Sequence, residues 1–524
     1  MSWNLEGSIS IRYWCSVAAL SLLGCGADVE ADDGPEARRA SMVQTLTLAQ
    51  HTDVCEEDPR VALGLVSLEA CVGAELFFRE AFGGNGRTCG SCHPTANNFT
   101  IDPAFIATLP ASDPLFIAEQ GGPLAGLEKP TLMRDFGLIL ENVDDTSNPT
   151  VRFTMRSVPH CFSLDTSVTA QAVPTDGTTK PPNERTGWSG DGAPTPGELR
   201  DFQTGAVIQH YTKSLARVAG TDFVLPTSAE LDRIDNFLST IGRSNELNLN
   251  NLALSDAGAN TGRTTYIGSR CNACHNNAGA NVATLTNRNF DTGVERARIA
   301  ALDTLGIPFD GGFGGAGVAS FNFDANGDTI LDAFGNGGFN TPPLIEAADT
   351  GPFFHTNAFS TIEDAIAFYN TSAFNNSPAG LAGAPINFTA TEQANVGRFL
   401  RVLNAAFNTQ LAIGRVNGVL PVIIEYHNHF KDLQQELAAL ALAEVDDALA
   451  VLSAVSSLNT AAQASLNTAK TALQTASTHA SHTHRKSAAQ SALTALTAAN
   501  ASLSSTPAGV TALSFTMGEG TLLF

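Results

Sequence analysis

The segment Cys89-Gly90-Ser91-Cys92-His93 and its second copy, Cys271-Asn272-Ala273-Cys274-His275, are the most informative stretches of this sequence. Two thiols three positions apart can reach the two vinyl groups of one porphyrin, and the histidine that follows then lies under the iron as its proximal ligand. A single copy is also compatible with a zinc site or a redox dithiol. Two copies, with no further cysteine pair nearby to complete a four-thiolate zinc site, indicate two c-type haem sites.

The bulk composition is that of a globular protein with an acidic surface. The 524 residues are 43% hydrophobic and only 15% charged, which is enough apolar material for two or three domains. The 52 acidic against 29 basic residues give a formal net charge of -23. Such a charge repels nucleic acid and anionic lipid surfaces, so no nucleic-acid partner is expected, and it attracts basic electron-donor proteins.

The N-terminus has the pattern of an export signal. A short apolar run, Val17–Leu23, follows Arg12, and Leu22-Leu23-Gly24-Cys25 is similar to a bacterial lipobox. In that interpretation Cys25 becomes the lipidated first residue, and the protein is anchored on the periplasmic side of a bacterial membrane, with the outer membrane as the expected location. The alternative is a secretory peptide cut nearby without lipidation. Both alternatives place the mature protein outside the cytoplasm.

Three of the nine cysteines belong to neither the export segment nor the two motifs: Cys55, Cys71 and Cys161. In an oxidising compartment two of them can form a disulfide. Cys55 and Cys71 are the closest in sequence, but the sequence alone leaves the pairing open.

Each motif is followed, more than a hundred residues later, by a helix-start signature. Thr227–Glu230 and Thr389–Glu392 both have the pattern of a capping box, and apolar residues at helical spacing follow each one. This suggests a duplicated, mainly α architecture with two cytochrome c-type haem domains and long loops. We expect a signal peptide at 1–25, a tether and N-terminal segment at 26–69, haem domains at 70–245 and 246–418, and an Ala-rich helical tail at 419–524.

The tail is expected to form an antiparallel helical appendage, because it contains almost no Gly or Pro between about residue 430 and Pro507. Its histidines His479, His482 and His484 are predicted to lie in a polar turn between helices. No cysteine or carboxylate accompanies them, so no metal site is assigned there.

Four further motifs occur in a characteristic order: Gly73–Phe78, Trp188–Gly192, Phe339–Leu344 and Thr350–His355. This order resembles that of the bacterial dihaem cytochrome c peroxidases and their MauG-like relatives, over roughly residues 70 to 405. The resemblance implies a peroxide-dependent oxidoreductase with hydrogen peroxide and a basic electron donor or a protein substrate as partners. The alternatives are a dihaem electron-transfer lipoprotein without peroxidase activity, and a scaffold in which the haems are structural.

Tyr369 lies fourteen positions after His355, where classical members of that family place a methionine ligand of the second haem and MauG-like members a tyrosine. The resemblance therefore implies that Tyr369 ligates the second iron, and a phenolate ligand stabilises ferric iron. A purely packing role is the alternative, because Tyr369 shares a helical face with Ile366. His355 and, if the tail folds back, Met517 remain as other ligands.

At the first haem, residues 94 to 132 contain neither histidine nor methionine, so no nearby residue is expected to fill the distal position. Four residues further along the chain could still block it: Met133, Met155, His160 and His210. The resemblance implies a polar distal residue that assists O–O cleavage by proton transfer, and Gln209 or His210 can serve. It also implies that Trp188 relays electrons between the haems. Surface or packing roles are the alternatives for all three.

The same resemblance implies one calcium ion held by the backbone carbonyls of Thr350 and Pro352 together with an asparagine. Ser157 stands where that asparagine belongs, which departs from the family's ligand set. A second oxygen-rich loop, Asp324–Asp328, lacks the glutamate of a calcium-binding loop, and a plain Asn-Gly turn is predicted there.

Overall fold

Helices make up most of the fold, which confirms the mainly α class. The computed structural model describes residues 46–142, 153–167, 199–280, 289–312, 323–333, 335–505 and 513–523. The predicted signal peptide, the lipidation site Cys25 and the relay residue Trp188 lie outside these ranges.

The helices of the first half and the second half are numbered here in chain order. The first half contains α1 Leu48–Glu56, α2 Pro59–Ala62, α3 Leu68–Arg79, α4 Cys89–Cys92, α5 Pro103–Ile106, α6 Pro130–Phe136, α7 Leu164–Ser167, α8 Leu199–His210 and α9 Ser228–Ser239. The second half contains α10 Ala257–Gly268, α11 Cys271–Cys274, α12 Ala300–Thr304, α13 Ile362–Phe368, α14 Ser372–Asn375, α15 Pro378–Leu381 and α16 Ala390–Tyr426. The tail contains α17 Lys431–Ser453, α18 Thr460–Thr478 and α19 His482–Leu503.

Two short antiparallel strand pairs accompany the helices in the described ranges. In the first half β1 (Leu138–Glu141) pairs with β2 (Thr154–Ser157), with Ile139 opposite Arg156. In the second half β3 (Asn289–Asp291) pairs with β4 (Gly338–Asn340).

The two halves repeat one helix crossing. Both predicted capping boxes are present and begin α9 and α16. The helix that precedes each motif crosses one of these two helices at a glycine: a Cβ on Gly73 of α3 would collide with the carbonyl oxygen of Arg233, and one on Gly262 of α10 with that of Asn395. Only glycine permits such close backbone approach, so the crossing that places each motif depends on this residue.

The tail forms a four-helix bundle with the C-terminal part of α16. Consecutive helices are joined by connections of three to six residues, which makes neighbours antiparallel. Its buried interior consists of small and branched apolar residues, namely Val416, Val419, Leu437, Ala441, Val445, Ala448, Leu452, Leu466, Ala469, Leu473, Ala492, Leu496 and Ala499. Because α16 continues through the expected domain boundary at residue 418, the bundle is rigidly attached to the second half.

The bundle is also tied to the first half through its aromatic core and through the C-terminal segment. Phe407 of α16 contacts Phe162 and Phe515, with ring centroids 5.3 and 6.0 Å apart. The hydroxyl of Ser67 donates to Glu519 at 2.5 Å, and the backbone of Met517 pairs with that of Arg243. The tail therefore packs against both halves.

The pairing of the spare cysteines is decided by the structure. Cys55 and Cys71 form a disulfide between α1 and α3, while Cys161 keeps its thiol. Closing a loop of this length contributes about 3 kcal/mol to stability.

Among the described residues, we find no helix with the length and apolar character needed to cross a membrane.

Two candidate haem-binding sites

The first motif forms one helical turn, which puts its two thiols one turn apart. Thr88 and Ser91 close a capping box around the turn α4. Phe78 lies directly over Gly90, since a Cβ there would be 2.6 Å from the Phe78 ring. This contact links the Gly73–Phe78 segment, which precedes the motif in the sequence, to the motif itself.

The orientation of His93 is set by a backbone carbonyl. Its Nδ1 lies 2.8 Å from the carbonyl oxygen of Phe99 and 3.3 Å from the thiol of Cys161. A carbonyl oxygen can only accept, so Nδ1 carries the proton and Nε2 keeps its lone pair for a metal. Burial lowers the pKa of His93, which favours the neutral form that a ligand requires.

The second motif repeats this arrangement with a different partner. The Nδ1 of His275 lies 2.8 Å from the carbonyl oxygen of Pro342, and the hydroxyl of Tyr266 donates to the His275 carbonyl at 2.6 Å. Burial lowers the pKa of His275 to about 4. Pro342 belongs to the segment Thr341–Leu344, which therefore orients the histidine of the second motif.

The four motif thiols are all free and partly buried. Burial raises the pKa of Cys89 to about 11 and that of Cys92 to about 12, and the hydroxyl of Tyr211 donates to the Cys89 sulfur at 3.1 Å. Protonated, unpaired thiols one helical turn apart beside a correctly oriented imidazole are the donor set of a c-type haem. The residues present at both motifs therefore fit this cofactor.

Tyr369 lies at the C-terminal end of α13, inside an aromatic cluster that also contains Cys271. Its ring is 4.8 Å from that of Phe374 and 6.4 Å from that of Phe354, measured between centroids. Burial, and then the charges of the second motif's thiols, raise the pKa of Tyr369 in the protein alone. A phenolate here therefore requires a positive metal to offset these effects.

The structure separates the two distal candidates. Gln209 accepts a hydrogen bond from the Asn142 amide at 2.8 Å, which anchors the end of α8 to the residue after β1. His210 is largely buried, and its Nε2 lies 3.2 Å from Glu141 Oε1. Its charge contributes to the lowered pKa of His93, and the next residue, Tyr211, touches the first motif. His210 therefore lies near the first motif.

Glu141 is the partner that sequence reasoning missed. It ends β1, opposite Thr154, and 69 residues separate it from His210. No local spacing indicates such a pair. The feature of the sequence that could have pointed to Glu141 is that it is the single acidic residue at the end of the otherwise apolar strand β1.

Ser157, which stands where the family's calcium-binding asparagine belongs, makes direct hydrogen bonds to the segment that follows Pro352. The Ser157 amide donates to the His355 carbonyl at 2.7 Å, and its hydroxyl donates to the Phe354 carbonyl at 3.2 Å. A serine thus ties the first half to the segment of Thr350 and Pro352, where the family's calcium would lie.

The acidic segment Asp324–Asp328 forms a turn, as its sequence predicts, whereas the histidine-rich segment lies only partly in one, because His482 and His484 belong to the first turn of α19. The Asp324 carboxylate accepts backbone hydrogen bonds from Gly327 at 2.6 Å and Thr329 at 2.7 Å. His479 lies in the link between α18 and α19, with its ring stacked on that of His484. Over the described ranges, no group of three or more His, Cys, Asp or Glu side chains is arranged to hold a metal ion.

Comparisons with known proteins give a distant structural likeness. No family model and no curated protein matches the chain. Among solved structures, it is similar to a chain of the hydrazine synthase of Kuenenia stuttgartiensis, at 16% identity and a TM-score of 0.30, with 74% of this chain and 99% of that chain covered. At this TM-score the likeness carries no conclusion about activity, so the function has to be argued from the two sites themselves.

Proposed function

We propose that the chain is an exported dihaem c-type cytochrome that acts as a peroxide-dependent oxidoreductase. The observation that carries this proposal is the repeated geometry of the motif histidines: Nδ1 of His93 and of His275 each meets a backbone carbonyl at 2.8 Å. In both cases Nε2 is left as the metal-binding atom.

Haem attachment uses the four free thiols. Each S–H would add across one vinyl group, so that a C–S bond forms and the thiol hydrogen goes to the other vinyl carbon. When bound, the two haem irons supply the one-electron chemistry by which hydrogen peroxide, two electrons and two protons become two water molecules.

The protons are handled by the pair of His210 and Glu141. Nε2 of His210 lies 3.2 Å from Oε1 of Glu141, and this contact orients the ring. The ring's Nδ1 is then the atom that exchanges a proton with the peroxide. An imidazole in this position typically contributes about 10²–10⁴-fold to the rate.

The second site and the surface charge suit the electron transfer that this reaction needs. As a ligand, Tyr369 would hold the second iron in the ferric form, and Trp188 is proposed to relay electrons between the sites. The net charge of -23 favours a basic electron-donor protein or a basic protein substrate.

Stopped-flow mixing of the ferric protein with hydrogen peroxide tests the proposal. The Soret band should change rapidly in wild type, and His210→Gln should slow this change by about a hundredfold. His429→Gln changes an exposed histidine in the turn between α16 and α17; this matched control should behave as wild type. A wild-type protein whose spectrum does not respond to peroxide would instead be an electron carrier.

We further propose that Cys25 carries the lipid anchor. Wild-type protein should then fractionate with membranes and need detergent for extraction, while Cys25→Ala should appear in the soluble periplasmic fraction. Cys15→Ala, in the same segment, is the control and should leave the anchor in place. Recovery of wild type entirely in the soluble fraction would contradict the anchor.

A further inference from the structure

A group of ionisable side chains lies buried where the two halves of the molecule meet. We call it the inter-site ion cluster. Its members are Glu141, Arg156 and His210 from the first half and Glu295, Asp310 and His355 from the second. Burying an ionised side chain costs free energy unless an oppositely charged partner or hydrogen bonds offset the loss of water.

On the first-half side, the strand register brings Glu141 and Arg156 to one face. Ile139 is opposite Arg156 and Glu141 is opposite Thr154, so Glu141 and Arg156 are diagonal neighbours on the same side of the ribbon. His210 approaches Glu141 from α8 at 3.2 Å. Glu141 thus lies between the distal histidine of the first site and a buried arginine.

On the second-half side, Asp310 binds that arginine. Its two carboxylate oxygens lie 2.5 and 2.6 Å from Nε and Nη2 of Arg156, and both side chains are 1% exposed. Glu295 accepts the backbone N–H groups of Asp310 and Gly311, and lies 3.0 Å from His355 Nε2.

The cluster also reaches the second site. The ring of His355 stacks on Phe339 with centroids 4.0 Å apart. Phe339 packs in the same aromatic cluster as Cys271 and Tyr369.

We propose that Arg156 is a positioning residue for the first site, which holds Glu141 as a carboxylate against His210, and that Asp310 fixes the position of Arg156. Asp310 belongs to the second half of the molecule, which also carries the second motif. The second half therefore completes the proton-handling pair of the first site. This inference rests on the proposed function only in the role given to His210.

The groups around Glu141 shift its pKa in opposite directions. Burial opposes its ionisation, yet the charges of His210 and Arg156 outweigh burial and hold the pKa of Glu141 below its ordinary value, while Asp310 acts in the opposite sense.

Further groups face Glu141 from neighbouring elements. They are Arg217, whose pKa responds to Glu141, Cys92 of the first motif, and Glu128, which accepts the amide of Leu140. None of the substitutions below changes these groups.

The two members of the ion pair therefore have opposite expected effects. Arg156→Gln removes the stabilising cation, so the pKa of Glu141 rises. Asp310→Asn removes the repelling anion while the cation stays, so the pKa of Glu141 falls. The double variant should lie between the two single variants, and Arg156→Lys, which keeps the charge, should stay close to wild type.

The measurement is a pH titration of the Soret band of the ferric protein, in which protonation of a carboxylate beside the first site appears as an acid transition. Its midpoint should move up by at least about one pH unit in Arg156→Gln and down in Asp310→Asn. Arg200→Gln, which removes an exposed cation from the other end of α8, is the matched control and should not move it.

Opposite shifts distinguish positioning from simple damage, because a variant that only loosens the fold has no reason to move the midpoint in a particular direction. The bound haem content and thermal unfolding of each variant show whether it is folded. Equal shifts, shifts in the same direction, or a wild-type Soret band without an acid transition overturn the inference. Opposite shifts in a protein that does not react with peroxide leave the inference standing and reject the proposed function.

Discussion

Replacing Cys89 and Cys92 together by alanine should remove one of two covalently bound haems from the protein. The two thiols belong to one helical turn and are free, and no other described thiol lies at the same spacing from His93. Mass spectrometry of the mature chain, or haem staining after denaturing electrophoresis, counts the attached groups. We expect two in wild type and one in the variant.

Three control variants sharpen this experiment. Cys271→Ala with Cys274→Ala should also leave one haem, and combining all four substitutions should leave none. Cys161→Ala removes a thiol that lies 3.3 Å from His93 Nδ1 but has no attachment role, so it should keep both haems. A wild-type chain that carries one haem or none would exclude the dihaem assignment.

Tyr369→Phe should remove the low-spin ferric signal of the second haem while leaving haem attachment complete. Phenylalanine keeps the ring that packs on Phe374 and Phe354 and removes only the oxygen. If the phenolate is a ligand, its loss frees or re-ligates the second iron, whereas His275 stays held by Pro342. Electron paramagnetic resonance of the ferric protein should show one low-spin and one high-spin iron in wild type and a changed low-spin signal in the variant.

Tyr426→Phe is the matched control, because this tyrosine lies at the far end of α16 and packs on Phe430. It should leave both signals as in wild type. An unchanged low-spin signal in Tyr369→Phe would make Tyr369 a packing residue. His355, which faces Glu295, and Met517, which pairs with Arg243, would then be the ligands to examine.

Local patterns in the sequence predicted the features that depend on a few consecutive residues. The capping boxes at Thr227 and Thr389 are present because each needs only two side chains and two amides within four positions. The helical tail follows from its Ala and Leu spacing. The sequence did not predict that its three helices would pack with α16, because periodicity shows that a helix has an apolar face but not which helix covers that face.

The sequence by itself determined the two attachment turns, because a Cys-x-x-Cys-His segment contains all of its own donors within five residues. Only the tertiary structure decided what orients them. The carbonyl that accepts from His275 belongs to Pro342, 67 residues away. Every residue carries a backbone carbonyl, so the sequence does not show which one will meet the ring. The same holds for Glu141 beside His210 and Asp310 on Arg156, which are 69 and 154 residues apart, since burial and charge pairing across such distances follow from the way the two halves pack.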